Sequence, residues 1–208
     1  MHSHAHAHHH HHHGAHHGHA ADYGKAFAIG IGLNLAFVGV EAFYGFVSNS
    51  MALLADAGHN LSDVLGLAVA WIAAILGRRP ASRRFSYGFR AASILAALAN
   101  AVILLIAVGF IAYHAIMRLI IPDLVEAGTV TIVAAIGILV NAATALMFAR
   151  GRRSDLNVRG AYLHMMADAL VSAGVVVAGI AIQLTGALWI DPVTGLVVAA
   201  IIFIGGAD

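Results

Sequence analysis

The sequence predicts an all-α membrane protein, a bundle of six transmembrane helices with both termini in the cytoplasm, and three observations predict it. First, 61% of the 208 residues are hydrophobic, only 10% are charged, and the mean hydropathy is +0.86. That leaves too little polar surface for a globule in water, so lipid must be the solvent for most of the chain. Second, the apolar residues gather into six runs, each near the roughly 20 residues a helix needs to cross a bilayer. Third, the basic residues fall on alternate sides of those runs.

The runs lie at 26–47, 52–76, 91–121, 128–149, 160–184 and 189–206. Lys25 precedes the first. Arg78, Arg79, Arg83, Arg84 and Arg90 fill the connection after the second, and Arg150, Arg152, Arg153 and Arg159 the connection after the fourth. Short loops rich in Lys and Arg stay in the cytoplasm, which orients every crossing. The opposite loops carry Ser48-Asn49-Ser50, then Pro122, Asp123 and Glu126, then Thr185-Gly186, with Arg118 the one basic residue near that side. A net charge of +1, with the arginines already explained by topology, excludes a nucleic-acid partner. With no cysteine in the chain, disulfides, thiolate metal sites and iron–sulfur clusters are excluded, so any metal meets imidazole and carboxylate.

Ahead of the helices, residues 1–22 form a separate unit. Twelve of the fifteen histidines lie between His2 and His19 among Ala, Gly and Ser, a composition that builds no core and is expected to be disordered. The unbroken run His8 to His13 is what a purification tag looks like, but flanks such as His16-His17-Gly18-His19 read as a natural metal-collecting tail. This start is not basic-then-apolar and does not read as a cleaved signal peptide. Residues 23–208 are then the transmembrane domain. The last run is short, and the chain stops at Gly205-Gly206-Ala207-Asp208, as a membrane portion cut from something longer would.

Ionisable residues inside apolar runs cost roughly 2.5–3.5 kcal/mol each on insertion scales, so they are functional candidates by default. The second run holds Asp56, His59 and Asp63, whose spacings of three, four and seven put them on one helix face. The fifth run repeats the device with His164 and Asp168. Two helices that each offer an imidazole and a carboxylate supply the four ligands of a tetrahedral zinc site. The two helices are antiparallel in this topology, so packing side by side sets His59 level with Asp168 and Asp63 level with His164. Counting in from the apolar edges leaves an offset, with His59 and Asp63 in the outer half and His164 and Asp168 in the inner half, which helix tilt must absorb.

Other polar positions carry blander readings. Asn34, Asn100 and Asn141 are expected as hydrogen-bonding links between helices, Asn141 also lying beside the ion or proton path. His114, near Tyr113 and Arg118, reads as interfacial. Glu41, deep in the first run, joins Asp56 and Asn141 as a candidate for the ion or proton path. Each half of three runs carries an Asn in its first member and His-x-x-x-Asp in its second, a hint of inverted repeats.

The stretch Glu41 to Asp63, E-A-F-Y-G-F-V-S-N-S-M-A-L-L-A-D-A-G-H-N-L-S-D, resembles the signature of the cation diffusion facilitator family. Tyr87-Gly88-Phe89-Arg90 leading to Ile94-Leu95-Ala96-Ala97-Leu98 resembles the family's third-helix entry, His164 to Ser172 its fifth helix, and Asp191-Pro192-Val193-Thr194-Gly195 its sixth. The resemblance covers essentially everything after the tail. It implies a homodimeric, proton-coupled exporter of the cell (inner) membrane, not an enzyme, with the tetrahedral site on His59, Asp63, His164 and Asp168. Asp56 also matches a recurrent acid of the motif. Ser93 stands where the family usually has a glutamate, and the family's cytoplasmic metal-binding domain is not found after the sixth helix.

The chemistry of the ligands orders the cargo. Zinc and cobalt fit a tetrahedral mix of nitrogen and oxygen, with nickel, cadmium and iron(II) behind them; manganese or magnesium would call for oxygen alone. Neutral imidazole ligates and protonated imidazole does not, and its reference pKa of about 6.5 makes metal and proton rivals near neutrality. Two other classes compete. A membrane-anchored sensor or buffer, binding metal through its tail, would gain nothing from intramembrane acids. A passive channel would need a continuous polar stripe that the first and sixth runs do not provide.

Overall fold

A computed structural model describes the backbone of residues 20–77, 90–149 and 156–205, and the side chains of 28–65, 98–149 and 158–204. Every regular element among the described residues is an α-helix: α1 Ala20–Val47, α2 Met51–Gly77, α3 Arg90–Ile120, α4 Ala127–Phe148, α5 Leu156–Thr185 and α6 Ile190–Gly205. The outer ends agree with the expected runs to within a residue or so. α1 and α5 begin earlier than the runs, because hydropathy marks the hydrocarbon edge whereas intrahelical hydrogen bonding continues through the interface. The histidine tail, Arg78, Arg79, Arg83, Arg84, Tyr87-Gly88-Phe89, Arg150, Arg152 and Arg153 lie outside the described residues, as does the side chain of Ser93.

Among the described residues, Ala28–Val47, Leu98–Ile120, Ala127–Phe148 and Val158–Thr185 are long and apolar enough to cross a membrane, and Ile190–Ile204 is a shorter apolar helix. Their outward faces carry Phe46, Ile106, Phe110, Leu139, Leu146, Leu170 and Leu184, all exposed. Inside, by contrast, sit Asn34, Glu41, Asp56, Asn60, Asn141, Asp168, Ser172 and Asp191. A surface of large apolar side chains around a polar interior is stable only where the surroundings are lipid. The chain is a multi-pass integral membrane protein.

α4 packs along α5, α1 lies against both α2 and α4, and α6 closes on α2 and α3. Corresponding helices of the two halves therefore meet, α1 with α4, α2 with α5 and α3 with α6. One apolar cluster joins Phe37, Leu53, Val130, Val133 and Val175; a second joins Ala55, Ile111, Val198 and Ile202. Small residues allow the closest approaches, as membrane bundles require in the absence of a hydrophobic drive between helices. At Gly195 a methyl group would stand 2.9 Å from the backbone carbon and oxygen of Met51.

That contact belongs to the device that sets the start of α2. Ser50 caps the helix, its Oγ accepting from the Leu53 N–H at 3.1 Å. The fully buried Asp191 of α6 reaches across, its carboxylate accepting from Met51 N–H at 2.6 Å, from Ala52 N–H at 3.3 Å and from the Ser50 hydroxyl. An anion there satisfies amides that a helix leaves unpaired and meets the positive end of its dipole. The sequence analysis marked Asp191 only as part of the segment that resembles the family's sixth helix; its burial and its partner, the start of α2, come from the structure. Gly195→Val is expected to cost about 1–3 kcal/mol by overpacking against an immovable backbone. Asp191→Ala should cost more than a simple cap, since buried amides lose their acceptor. Thermal unfolding in detergent checks both, and a variant melting with the wild type would refute the clamp.

The neighbouring loop is fastened as well. Asn49 adopts φ 59°, a left-handed conformation Asn tolerates better than most residues. Its carbonyl and side-chain oxygens accept from the Arg118 guanidinium, while its Nδ2 donates to Leu124 O at 3.2 Å. A hydrogen bond with Asn49 and the Leu124 N–H together hold the exposed Asp123 carboxyl below its ordinary range. The His114 ring packs against Phe110 and Tyr113, with centroids 4.3 and 5.4 Å apart.

Candidate metal centre

Eight residues past Met51, α2 brings His59 to the middle of the bundle, and one turn later Asp63. α5 brings His164 and, one turn later, Asp168. The two helices are antiparallel, so each histidine faces the acid of the other helix. His59 Nε2 lies 3.4 Å from Asp168 Oδ1, and His164 Nε2 lies 3.4 Å from Asp63 Oδ2. Within each helix the separations are 3.6 Å, from His59 Nδ1 to Asp63 Oδ2, and 3.8 Å, from His164 Nε2 to Asp168 Oδ2.

The offset counted along the sequence is real, and inclination absorbs it. Near the ends of α2 and α5 the chain is tied to the start of α4: Ser48 O accepts from Glu126 N–H, and Gln183 Nε2 donates to Ala127 O. From that level His59 is eleven residues along, eight of them within α2, and Asp168 fifteen residues back along α5, about 12 and 22 Å of helix at a rise of about 1.5 Å per residue. Both paths end at one place, so the helices are inclined to one another and cross at the tetrad.

The cross-helix separations discriminate between coordination shells. Around a tetrahedral ion with bonds of about 2.0–2.2 Å, neighbouring ligand atoms stand about 3.3–3.6 Å apart, whereas an octahedral magnesium shell brings them to about 2.9 Å. The two 3.4 Å contacts have the length of a tetrahedral edge. Taking one ligand atom from each of His59, Asp63 and Asp168, the three lie within 4.8 Å of one another, and His164 lies beside both acids. His59 shows a different nitrogen to each acid, so a modest ring rotation decides which one would ligate. Asp63 Oδ2 and Asp168 Oδ1 are enclosed and, among the described residues, meet histidine nitrogens at 3.4–3.6 Å but no hydrogen-bond donor at normal distance. Buried carboxylate oxygens left so are costly unless a cation completes them.

Access is graded across the site. The Asp168 side chain is 2% exposed, His59 15%, Asp63 18% and His164 35%. The two residues nearer the end where α2 finishes and α5 begins, Asp63 and His164, are thus more exposed than His59 and Asp168, which lie nearer the Asp191 clamp.

Behind the ligands lies a second group of polar residues. Ser172, one turn past Asp168, donates to Asp56 Oδ2 at 2.9 Å, and Asn60 donates to Glu41 Oε2 at 2.9 Å. Glu41 and Asp56, marked in the sequence as pathway candidates, therefore come together, while Asn60 and Ser172 were not singled out at all. A neutral amide or hydroxyl in an apolar run does not tell which group it will bond, and only the packing shows that these two serve the acids. Asn141 is also buried, with its Nδ2 unpaired, but lies apart from this network in every contact the described residues give. Asn34 donates to Met165 Sδ at 3.2 Å, beside His164.

Comparison with known proteins places the chain in a family. Residues 27–208 match the model of the cation efflux transmembrane domain. The chain is 40% identical over 169 residues to a cadmium, cobalt and zinc/H(+)-K(+) antiporter of Bacillus velezensis, covering 80% of this chain and 54% of that protein. It is 37% identical over 172 residues to the zinc transporter ZitB of Escherichia coli, covering 82% and 55%. It is 36% identical over 167 residues to the metal cation efflux system protein CzcD of Cupriavidus metallidurans, covering 80% and 53%. The chain spans about half the length of the curated relatives it matches. With the family's domain matched over nearly all of α1 to α6, and two antiparallel helices presenting His-x-x-x-Asp to each other in its centre, the chain belongs to the cation efflux, or cation diffusion facilitator, family.

Proposed function

We propose that this chain carries divalent transition-metal cations, zinc first, out of the cytoplasm across the cell (inner) membrane in exchange for protons, with His59, Asp63, His164 and Asp168 as the ligands. The observation that carries the reading is the crossing of α2 and α5, where two imidazoles and two carboxylates meet at tetrahedral spacing inside a lipid-facing bundle. The names of the relatives support zinc, with cobalt and cadmium beside it, and support transport over catalysis. Nickel and iron(II) remain in the range that such ligands accept.

The arginine-bearing connections put both termini in the cytoplasm, and on that topology the more exposed side of the tetrad faces inward. Metal enters from the cytoplasm, helices rock about the crossing, and protons from outside take the imidazole nitrogens and release it. Residues 23–208 are the transport domain, and two copies work as a homodimer. The test is metal-dependent proton flux in proteoliposomes containing the whole chain: zinc uptake should be accompanied by proton movement in the opposite direction. Zinc uptake with no proton movement, or none at all, would sink the reading.

In this scheme residues 1–22 concentrate metal and take no part in the cycle. Deleting Met1 to Ala20 is expected to leave the maximal rate within about twofold and to raise the half-saturating metal concentration, because a chain without a core can gather ions but cannot alternate access. Loss of all transport at normal membrane levels would contradict it.

A further inference from the structure

The Glu41 and Asp56 side chains, from α1 and α2, are fully buried and lie together, since Glu41 is bonded to Asn60, one turn beyond Asp56 on the same face of α2. Each has one oxygen served by a neutral donor: Asn60 Nδ2 on Glu41 Oε2 and Ser172 Oγ on Asp56 Oδ2, both at 2.9 Å. The remaining oxygens, Glu41 Oε1 and Asp56 Oδ1, are enclosed without an N–H or O–H donor among the described residues. Ionised carboxylates only accept, so two of them cannot bond to each other; a single proton supplies the one donor that is missing. Two adjacent anions in a hydrocarbon setting, without a cation contacting either in the described network, also carry a prohibitive desolvation cost that one proton removes.

We propose that Glu41 and Asp56 hold one proton between them as a carboxylic acid and carboxylate pair, a proton-binding site separate from the metal ligands, and that this proton leaves when a divalent cation enters the tetrad. The inference rests on the tetrad reading for its second half alone. The pair sits one turn behind the ligands: Asp56 precedes His59 by three residues, and Ser172, which holds Asp56, follows Asp168 by four. That spacing is about 5–6 Å along a helix face, near enough for a dication to be felt and too far for Asp56 to be joined to a ligand by any bond the structure gives. The other titratable groups facing the pair are His59 on α2 and Asp168 on α5; its remaining partners, Asn60 and Ser172, are neutral.

The step balances simply. With the tetrad empty, the pair carries one proton and one negative charge. When the dication binds, the carboxylic O–H bond breaks and the proton passes to water on the more exposed side; the added negative charge is offset by the ion's two positive charges. When the metal leaves, a proton from water restores the O–H. The pair thus adds one exchanged proton to those displaced from imidazole nitrogen.

The experiment uses the full chain in detergent and zinc as the probe. Infrared difference spectroscopy should show the C=O stretch of a protonated carboxylic acid in the zinc-free protein, shifted in D2O and lost on adding zinc, and absent from E41Q and from D56N. Calorimetric titration in buffers of differing ionisation enthalpy should show the tetrad's zinc site retained in E41Q, beside tail sites common to both proteins, with about one fewer proton released on filling the tetrad than in wild type. Either variant suffices if the other fails to fold. A wild-type protein that binds zinc but has no carboxylic acid band overturns the proposal, as does a band indifferent to zinc or an E41Q that releases as many protons as wild type. Failure of wild type to bind zinc at the tetrad would instead refute the tetrad reading, and a carboxylic acid band persisting in that protein would still support the pair.

Discussion

Asp63→Ala and Asp168→Ala are each expected to abolish metal transport while leaving the protein folded in the membrane. Each change removes one anionic ligand of four, and the three that remain cannot enclose a tetrahedral ion. A loss of at least about a hundredfold in metal affinity, roughly 2.7 kcal/mol, is the minimum to expect. Folding should survive, because the tetrad's acids do not hold the bundle together. Among the described residues Asp63 Oδ2 and Asp168 Oδ1 meet only histidine nitrogens, at 3.4–3.6 Å, and serve no backbone amide, so truncation removes a desolvated charge without stranding a helix end. The opposite behaviour is expected of Asp191, whose carboxylate serves the first amides of α2. Zinc uptake by vesicles, read with a metal-sensitive dye beside a melting curve in detergent, separates the two classes. Normal uptake in either Asp→Ala variant would remove that residue from the site.

His59→Asp should change which metal is carried and how pH governs it. The substitution converts two nitrogens and two oxygens into one nitrogen and three oxygens, a harder set. The ratio of zinc to manganese transport is expected to fall by roughly tenfold or more. The pH dependence follows from the same atom. A protonated imidazole cannot ligate, so metal binding is strong above the histidine range and is lost as the pH falls through it. Removing one of the two histidines takes away one such competing proton, so the acid limb of the variant's profile should be shallower than that of the wild type by about one unit of slope. Metal flux and internal pH followed together in vesicles provide both readings. Unchanged selectivity and an unchanged profile would mean that His59 does not ligate.

The periodicity of the chain by itself determined the six helices, because a crossing segment must satisfy its backbone internally and hide no more than a few charges, and both demands are written along one dimension. It also marked the tetrad, since His59 with Asp63 and His164 with Asp168 need only the four-residue repeat of a helix to share a face. What joined the two pairs was not local. Whether His59 meets Asp168 depends on how far α5 is inclined to α2, and that is set by contacts hundreds of atoms away: Gln183 and Ala127 at the head of α4, and Asp191 with Gly195 pressed against Met51. Asn60 and Ser172 were not singled out, because an amide or hydroxyl in an apolar run does not say which residue it will bond, and only packing put Glu41 and Asp56 beside them. Asp191 was marked only within the segment that resembles the family's sixth helix, since the amides it serves belong to a helix more than a hundred residues earlier. Sequence patterns report what each helix must do with lipid; only packing between helices decides which buried polar groups complete one another.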